Sequence, residues 1–141
     1  MSDDLKFNIL KTIFEDQMPA NKHLGLRIKE LKVGYAMIHI PFKDEFIGDF
    51  FQNRWHGGIL ASIADTAGGI AAVSTVESIK DKVSTIDMRI DYLNGSEPKD
   101  LYAEAEIIKS GKRIVKVDVK IYHKKEKIIA VGRCAYSVLR N

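Results

Sequence analysis

The chain has 141 residues, 45% hydrophobic and 29% charged, with 22 basic residues against 19 acidic ones and a formal net charge of +3. That is the size and balance of one ordered domain with a real core, which excludes a disordered chain. Charges of both signs are interleaved, which excludes the broad basic stripe of a nucleic-acid binder, and the single Cys134 excludes an internal disulfide or a cysteine-based zinc site.

The first residues, Met-Ser-Asp-Asp-Leu-Lys, lack the basic-then-apolar order of a signal peptide, so a cytoplasmic protein is expected. Leu5, Ile9, Leu10, Ile13 and Phe14 recur at helical spacing. This predicts an amphipathic helix over residues 4–17, with Ser2 and Asp3 as candidate caps and Pro19 as a stop. Two strands over residues 24–32 and 35–42 are expected to pair as a hairpin about Gly34. A loop of residues 43–55 follows.

Residues 57–76 contain one ionisable side chain, Asp65, in a stretch rich in Ala and Gly. The stretch is long enough to suggest a membrane span, but Asp65 and its hydroxyl residues argue instead for a buried helix wrapped by other elements. A lone carboxylate taken out of water costs several kcal/mol or titrates upward, which makes Asp65 the first functional candidate. Gly68 and Gly69 each cost about 1 kcal/mol relative to Ala in a helix interior, so a close approach by a curving sheet is expected to offset them.

Period-two alternation then predicts strands over 83–93 and 113–122, with further strands over 101–108 and 128–139 and a hairpin at Gly111. The order of elements is helix, two strands, long helix, four strands. This is an α+β chain whose consecutive strands run antiparallel.

His56-Gly57-Gly58 with an acid nine positions after the histidine, the Gly/Ala-rich helix and the strand 84–93 together resemble the hotdog-fold acyl-CoA thioesterases of the phenylacetate-pathway type. The resemblance covers nearly the whole chain. It implies a single hotdog domain over 1–141, a sheet wrapped round one central helix, and an acyl-CoA substrate in which coenzyme A is part of the substrate and no separate cofactor or metal is needed.

Glycines that open a helix leave N–H groups unshielded at its positive end, which suits an oxyanion, so Gly57 and Gly58 are candidate donors; a tight turn would also explain them. Asp65 is a candidate base or nucleophile, or else a structural aspartate bonded to Ser62 or Thr66. His56 is a candidate for orienting the thioester. Thr85 matches the family's water-orienting hydroxyl, or is an ordinary strand residue. Asn53 is the candidate polar helper in the preceding loop, where Gln52 and Asp49 compete for the role.

Lys109, Gly111, Lys112 and Arg113 resemble the segment that contacts the coenzyme A moiety, and a solvated hairpin tip would look the same. Phe46, Phe50, Phe51 and Trp55 are candidates for an acyl or aryl pocket, or for covering the sheet. Eight residues at about 1.5 Å each put Gly57 and Asp65 roughly 12 Å apart on one helix. If both act on one carbonyl they come from different subunits, so a homodimer or homotetramer with sites between subunits is expected. No nucleic-acid or membrane partner is implied. An acyl-thioester dehydratase or hydratase and a non-catalytic acyl-CoA sensor are the alternative functions.

Overall fold

A computed structural model describes residues 2–78 and 80–141. The N-terminal helix α1 (Asp3–Thr12) is capped by the Ser2 hydroxyl, which accepts from the Leu5 N–H at 3.3 Å, and Asp3 and Asp4 complement the helix dipole. It runs on into one π-helical turn, Ile13–Gln17. Pro19 does more than stop this helix. It occupies the first turn of a second one, α2 (Pro19–Leu24), where its missing N–H costs nothing, and Gly25 ends α2 at φ 71°. The strand expected from residue 24 is therefore shortened to β1 (Arg27–Lys32).

β1 and β2 (Tyr35–Ile40) form the expected antiparallel hairpin, with Gly34 at φ 80° in the turn. Pro41, which lacks an N–H, follows the last residue of β2, so Phe42 lies outside the strand and packs against the core. The loop of residues 43–55 is more ordered than expected. It holds a 3₁₀ turn (Asp44–Phe46) and a small hairpin of β3 (Ile47–Asp49) and β4 (Arg54–Trp55).

The long helix α3 spans Gly57–Val73 and buries Leu60, Ile63, Ala64, Ala67, Ile70 and Ala71. It ends before residue 76 because the hydroxyls of Ser74 and Thr75 turn back to the carbonyls of Ala71 and Ala72, at 2.5 and 2.8 Å. Among the described residues no helix is long and apolar enough to cross a membrane.

Four strands complete the chain: β5 (Lys82–Tyr92), β6 (Leu101–Ser110), β7 (Ile114–Lys124) and β8 (Lys127–Leu139). The six long strands form one antiparallel sheet in the order β1-β2-β6-β7-β8-β5. β5 and β6 are thus consecutive in the chain but not neighbours, and β5 is an edge strand. α3 packs against β2 and β5 to β8, so the sheet wraps it as the resemblance implies.

The alternation in β7 lays Val115, Val117, Val119 and Ile121 on the core face, all fully buried. The same pattern in β5 has a different outcome. Ile86 and Tyr92 are 53% and 52% exposed, because this edge strand lacks a second neighbour and bulges between Thr85 and Asp87. Gly68 also departs from expectation. A Cβ there would meet the Tyr136 hydroxyl and stand 3.1 Å from Cζ, so the close approach is made by one side chain and not by sheet backbone.

Candidate active site

The N-terminus of α3 is built by His56, whose extended backbone (φ −62°, ψ 129°) makes it the N-cap. Its Nδ1 accepts from the Gly58 N–H at 2.9 Å, and its carbonyl accepts from the N–H groups of Ile59 and Leu60. The 3₁₀ turn and β3 fix the residue from behind: the His56 N–H donates to the Phe46 carbonyl at 2.8 Å, and a Cβ on Gly48 would lie 2.6 Å from His56 Cα. These bonds correct the expectation of two glycine donors. The Gly58 amide is engaged by the cap, whereas the Gly57 N–H has no acceptor among the described residues. Gly58 is needed for another reason, since a Cβ there would sit 2.8 Å from the imidazole ring.

Asp65 lies two turns further along α3. It is half-buried, not enclosed, so the expectation of a buried lone charge does not hold within one protomer. Its partners are neither Ser62, which donates to the Gly58 carbonyl, nor Thr66. Thr85 Oγ1 donates to Asp65 Oδ1 at 2.9 Å, and the Tyr136 hydroxyl lies 2.7 Å from the Asp65 carbonyl and 3.3 Å from the same Oδ1. Thr85 and Tyr136 are paired across β5 and β8, which is why both reach one oxygen. Asp65 Oδ2 is left without a partner among the described residues.

Sequence reasoning missed Tyr136. The signal was available: alternation in the last strand turns Cys134, Tyr136 and Val138 inward, and a buried tyrosine hydroxyl needs a partner. Burial pushes its hydroxyl far above the usual tyrosine range, with the nearby Cys134 and Asp65 adding to the effect, so Tyr136 remains a donor at any working pH. Cys134 is fully buried and its thiol is also pushed up by burial, which keeps it from acting as a thiolate nucleophile. Replacing Tyr136 by Phe removes one donor from the Asp65 carbonyl, which keeps its helical partner, and the same donor from Oδ1. A loss of about 0.5–1.5 kcal/mol in urea unfolding is expected, with a kcat that falls more than KM changes.

The other candidates are dispersed. Asn53 stands in the tip of the β3–β4 hairpin at φ 56°, a conformation that Asn tolerates, and does not line the space next to Asp65. Gln52 is tied to Asp49, whose other oxygen caps the amides of Phe51 and Gln52. Phe46 and Trp55 are core residues stacked at 5.3 Å, and Phe50 and Phe51 stack on each other at the exposed hairpin tip, so the four do not form one pocket.

Lys109, Lys112 and Arg113 are exposed on the β6–β7 hairpin, where the Gly111 N–H donates to the Ile114 carbonyl at 2.9 Å. Ile114 and Val115 pair with Ser137 and Tyr136, so this cationic hairpin lies at the Asp65 end of the sheet. Gly57 lies at the opposite end of β5, where the Tyr92 hydroxyl donates to its carbonyl at 2.7 Å. A groove of about 430 Å³ opens beside Asp65, Thr85 and Tyr136 and runs between α3 and the N-terminal helices.

Residues 52–130, more than half of the chain and including both ends of this site, match the model of the Thioesterase superfamily. The chain belongs to the thioesterase superfamily. Membership makes it a thioester hydrolase, and the relatives agree with that assignment. The Medium/long-chain acyl-CoA thioesterase YigI of Escherichia coli strain K12 is 25% identical over 138 residues, covering 89% of each chain. A Shewanella oneidensis protein related to the superfamily superposes with a TM-score of 0.88 at 25% identity over 97% of both chains. The E. coli PaaI protein from the phenylacetic acid degradation operon shares the fold, with a TM-score of 0.85 at 24% identity over 98% of this chain and 96% of its own. The hotdog architecture expected from the sequence is therefore established.

Proposed function

We propose that the protein is a cytoplasmic acyl-CoA thioesterase that works without metal and is assembled as a dimer, or a dimer of dimers, with sites between subunits. The observation that carries this reading is the asymmetric holding of Asp65: one carboxylate oxygen accepts from Thr85 and Tyr136 and the other is free beside a groove. A carboxylate so held has one set of lone pairs aimed at substrate or water. Asp65 Oδ2 takes a proton from water as the water oxygen attacks the thioester carbonyl. The tetrahedral oxyanion is held by the Gly57 N–H, the C–S bond then breaks, and the thiolate of coenzyme A leaves and takes up the proton held on Asp65, which restores the carboxylate.

Gly57 and Asp65 lie about 12 Å apart on a straight helix, so the donor comes from the partner protomer. His56 acts as the cap that keeps the helix start open. Lys109, Lys112 and Arg113 offer cations for the phosphates of coenzyme A, with Gly111 making the turn that presents them. The acyl-CoA thioesterase activity of YigI supports acyl-CoA as the substrate class.

Thiol release from a panel of acyl-CoA thioesters tests the reading. Turnover of at least one member is expected. Water addition to an enoyl-CoA without hydrolysis would indicate a hydratase, and tight binding with no turnover would indicate a sensor.

A further inference from the structure

Gly68 and Gly69 are both unfavourable in a helix interior, but only one of them is explained by packing. A Cβ on Gly68 would collide with Tyr136. A Cβ on Gly69 would make one ordinary contact, 3.7 Å from the edge of the Tyr136 ring, and would otherwise project into open space. That space is the groove beside Asp65. Beyond Gly69 the groove continues past Ile70 and Val73, and its opposite wall is Leu10, Ile13, Phe14 and Met18 from α1, the π-helical turn and the residue before α2.

The π turn helps to hold this wall in place. The Asn21 side chain, 6% exposed, donates to the Phe14 carbonyl at 3.1 Å and approaches Met18 Sδ at 3.4 Å, pinning both residues. Met18 nevertheless remains 36% exposed, and Val73, Val76 and Val83 are only half-buried. The trough is thus mainly apolar, with Phe14 among its walls, and besides the polar groups around Asp65 its lining includes Ser78 and Asp81.

We propose that this groove, floored by Gly69 and walled by the π turn and Met18, is the acyl-chain subsite and takes a straight aliphatic chain of medium length. The assignment rests on the thioesterase reading. From Asp65 to Val73 the groove follows α3 for about 12 Å. A chain of tetrahedral carbons advances roughly 1.25 Å per bond, so about ten carbons fill it.

The test is kcat/KM for thiol release across straight-chain acyl-CoAs from butanoyl to hexadecanoyl, with phenylacetyl-CoA included, for wild type, Gly69→Leu and Met18→Ala. For wild type, kcat/KM should rise by about fourfold per methylene up to roughly decanoyl and then level off. Gly69→Leu is compatible with the helix and should lower the decanoyl-to-butanoyl ratio by at least about tenfold. Met18→Ala, which opens the wall, should move the plateau to longer chains. A preference for phenylacetyl-CoA, or chain-length ratios that both variants leave within twofold of wild type, would overturn the subsite while leaving the thioesterase reading intact. No thiol release from any ester would overturn the proposed function and the subsite with it.

Discussion

Replacing Asp65 by Asn should lower kcat for thioester hydrolysis by about 10²–10⁴-fold while leaving the fold intact. The size follows from the chemistry removed. Asn is nearly isosteric and its carbonyl oxygen can still accept from Thr85 Oγ1 and the Tyr136 hydroxyl, the two donors that hold Oδ1. What is lost is the free basic oxygen Oδ2. Circular dichroism and the urea midpoint should therefore change little beside the fall in activity. Wild-type turnover in this variant would remove Asp65 from the mechanism, whether as base or as nucleophile.

Replacing Gly57 by Pro should cost about 10²–10³-fold in kcat, the loss expected for one oxyanion donor. Two local features make this a clean deletion of an N–H group. Gly57 is the first residue of α3, where proline is well tolerated, and His56 before it already has the extended φ −62°, ψ 129° that a following proline demands. Space is also available, since a Cβ on Gly57 comes no closer than 3.4 Å to the Tyr92 hydroxyl. Gly57→Ala, which retains the amide, should lose far less. Equal losses in Pro and Ala variants would mean that the side chain and not the donor matters.

Much of this architecture was legible because it depends on period and punctuation. The all-apolar helix announced that it must be wrapped, and the alternation of β7 named its buried face. What the sequence concealed depends on neighbours distant in the chain. Tyr136 lies far from Asp65 in sequence and meets it only because β8 runs beside β5. The half-exposure of Asp65 was hidden for the same reason, since it is set by an edge strand and a groove and not by the composition of α3.

The glycines show the boundary well. Both Gly57 and Gly58 read as free donors until the His56 ring is seen to take the Gly58 amide. Gly68 and Gly69 read as one device, yet one accommodates a tyrosine and the other floors a groove. The aromatic cluster before the motif was divided by depth: Phe46 and Trp55 serve the core, while Phe50 and Phe51 remain outside it. Pro19 fits a helix stop by sequence, yet its missing N–H makes it equally good as a start, which is the place it takes in α2.

The two halves of the proposed site occupy opposite ends of β5, with Gly57 against Tyr92 at one end and Asp65 against Thr85 at the other. That separation is the basis for placing each complete site between two protomers. The most direct measurement is thiol release by a refolded equimolar mixture of Asp65→Asn and Gly57→Pro chains, compared with each variant alone. If the sites are shared, a mixed dimer contains one pairing of an intact Gly57 with an intact Asp65, and the mixture should recover about a quarter of wild-type turnover. A mixture no more active than its parents, with exchange of subunits shown by size or label, would contradict the shared site.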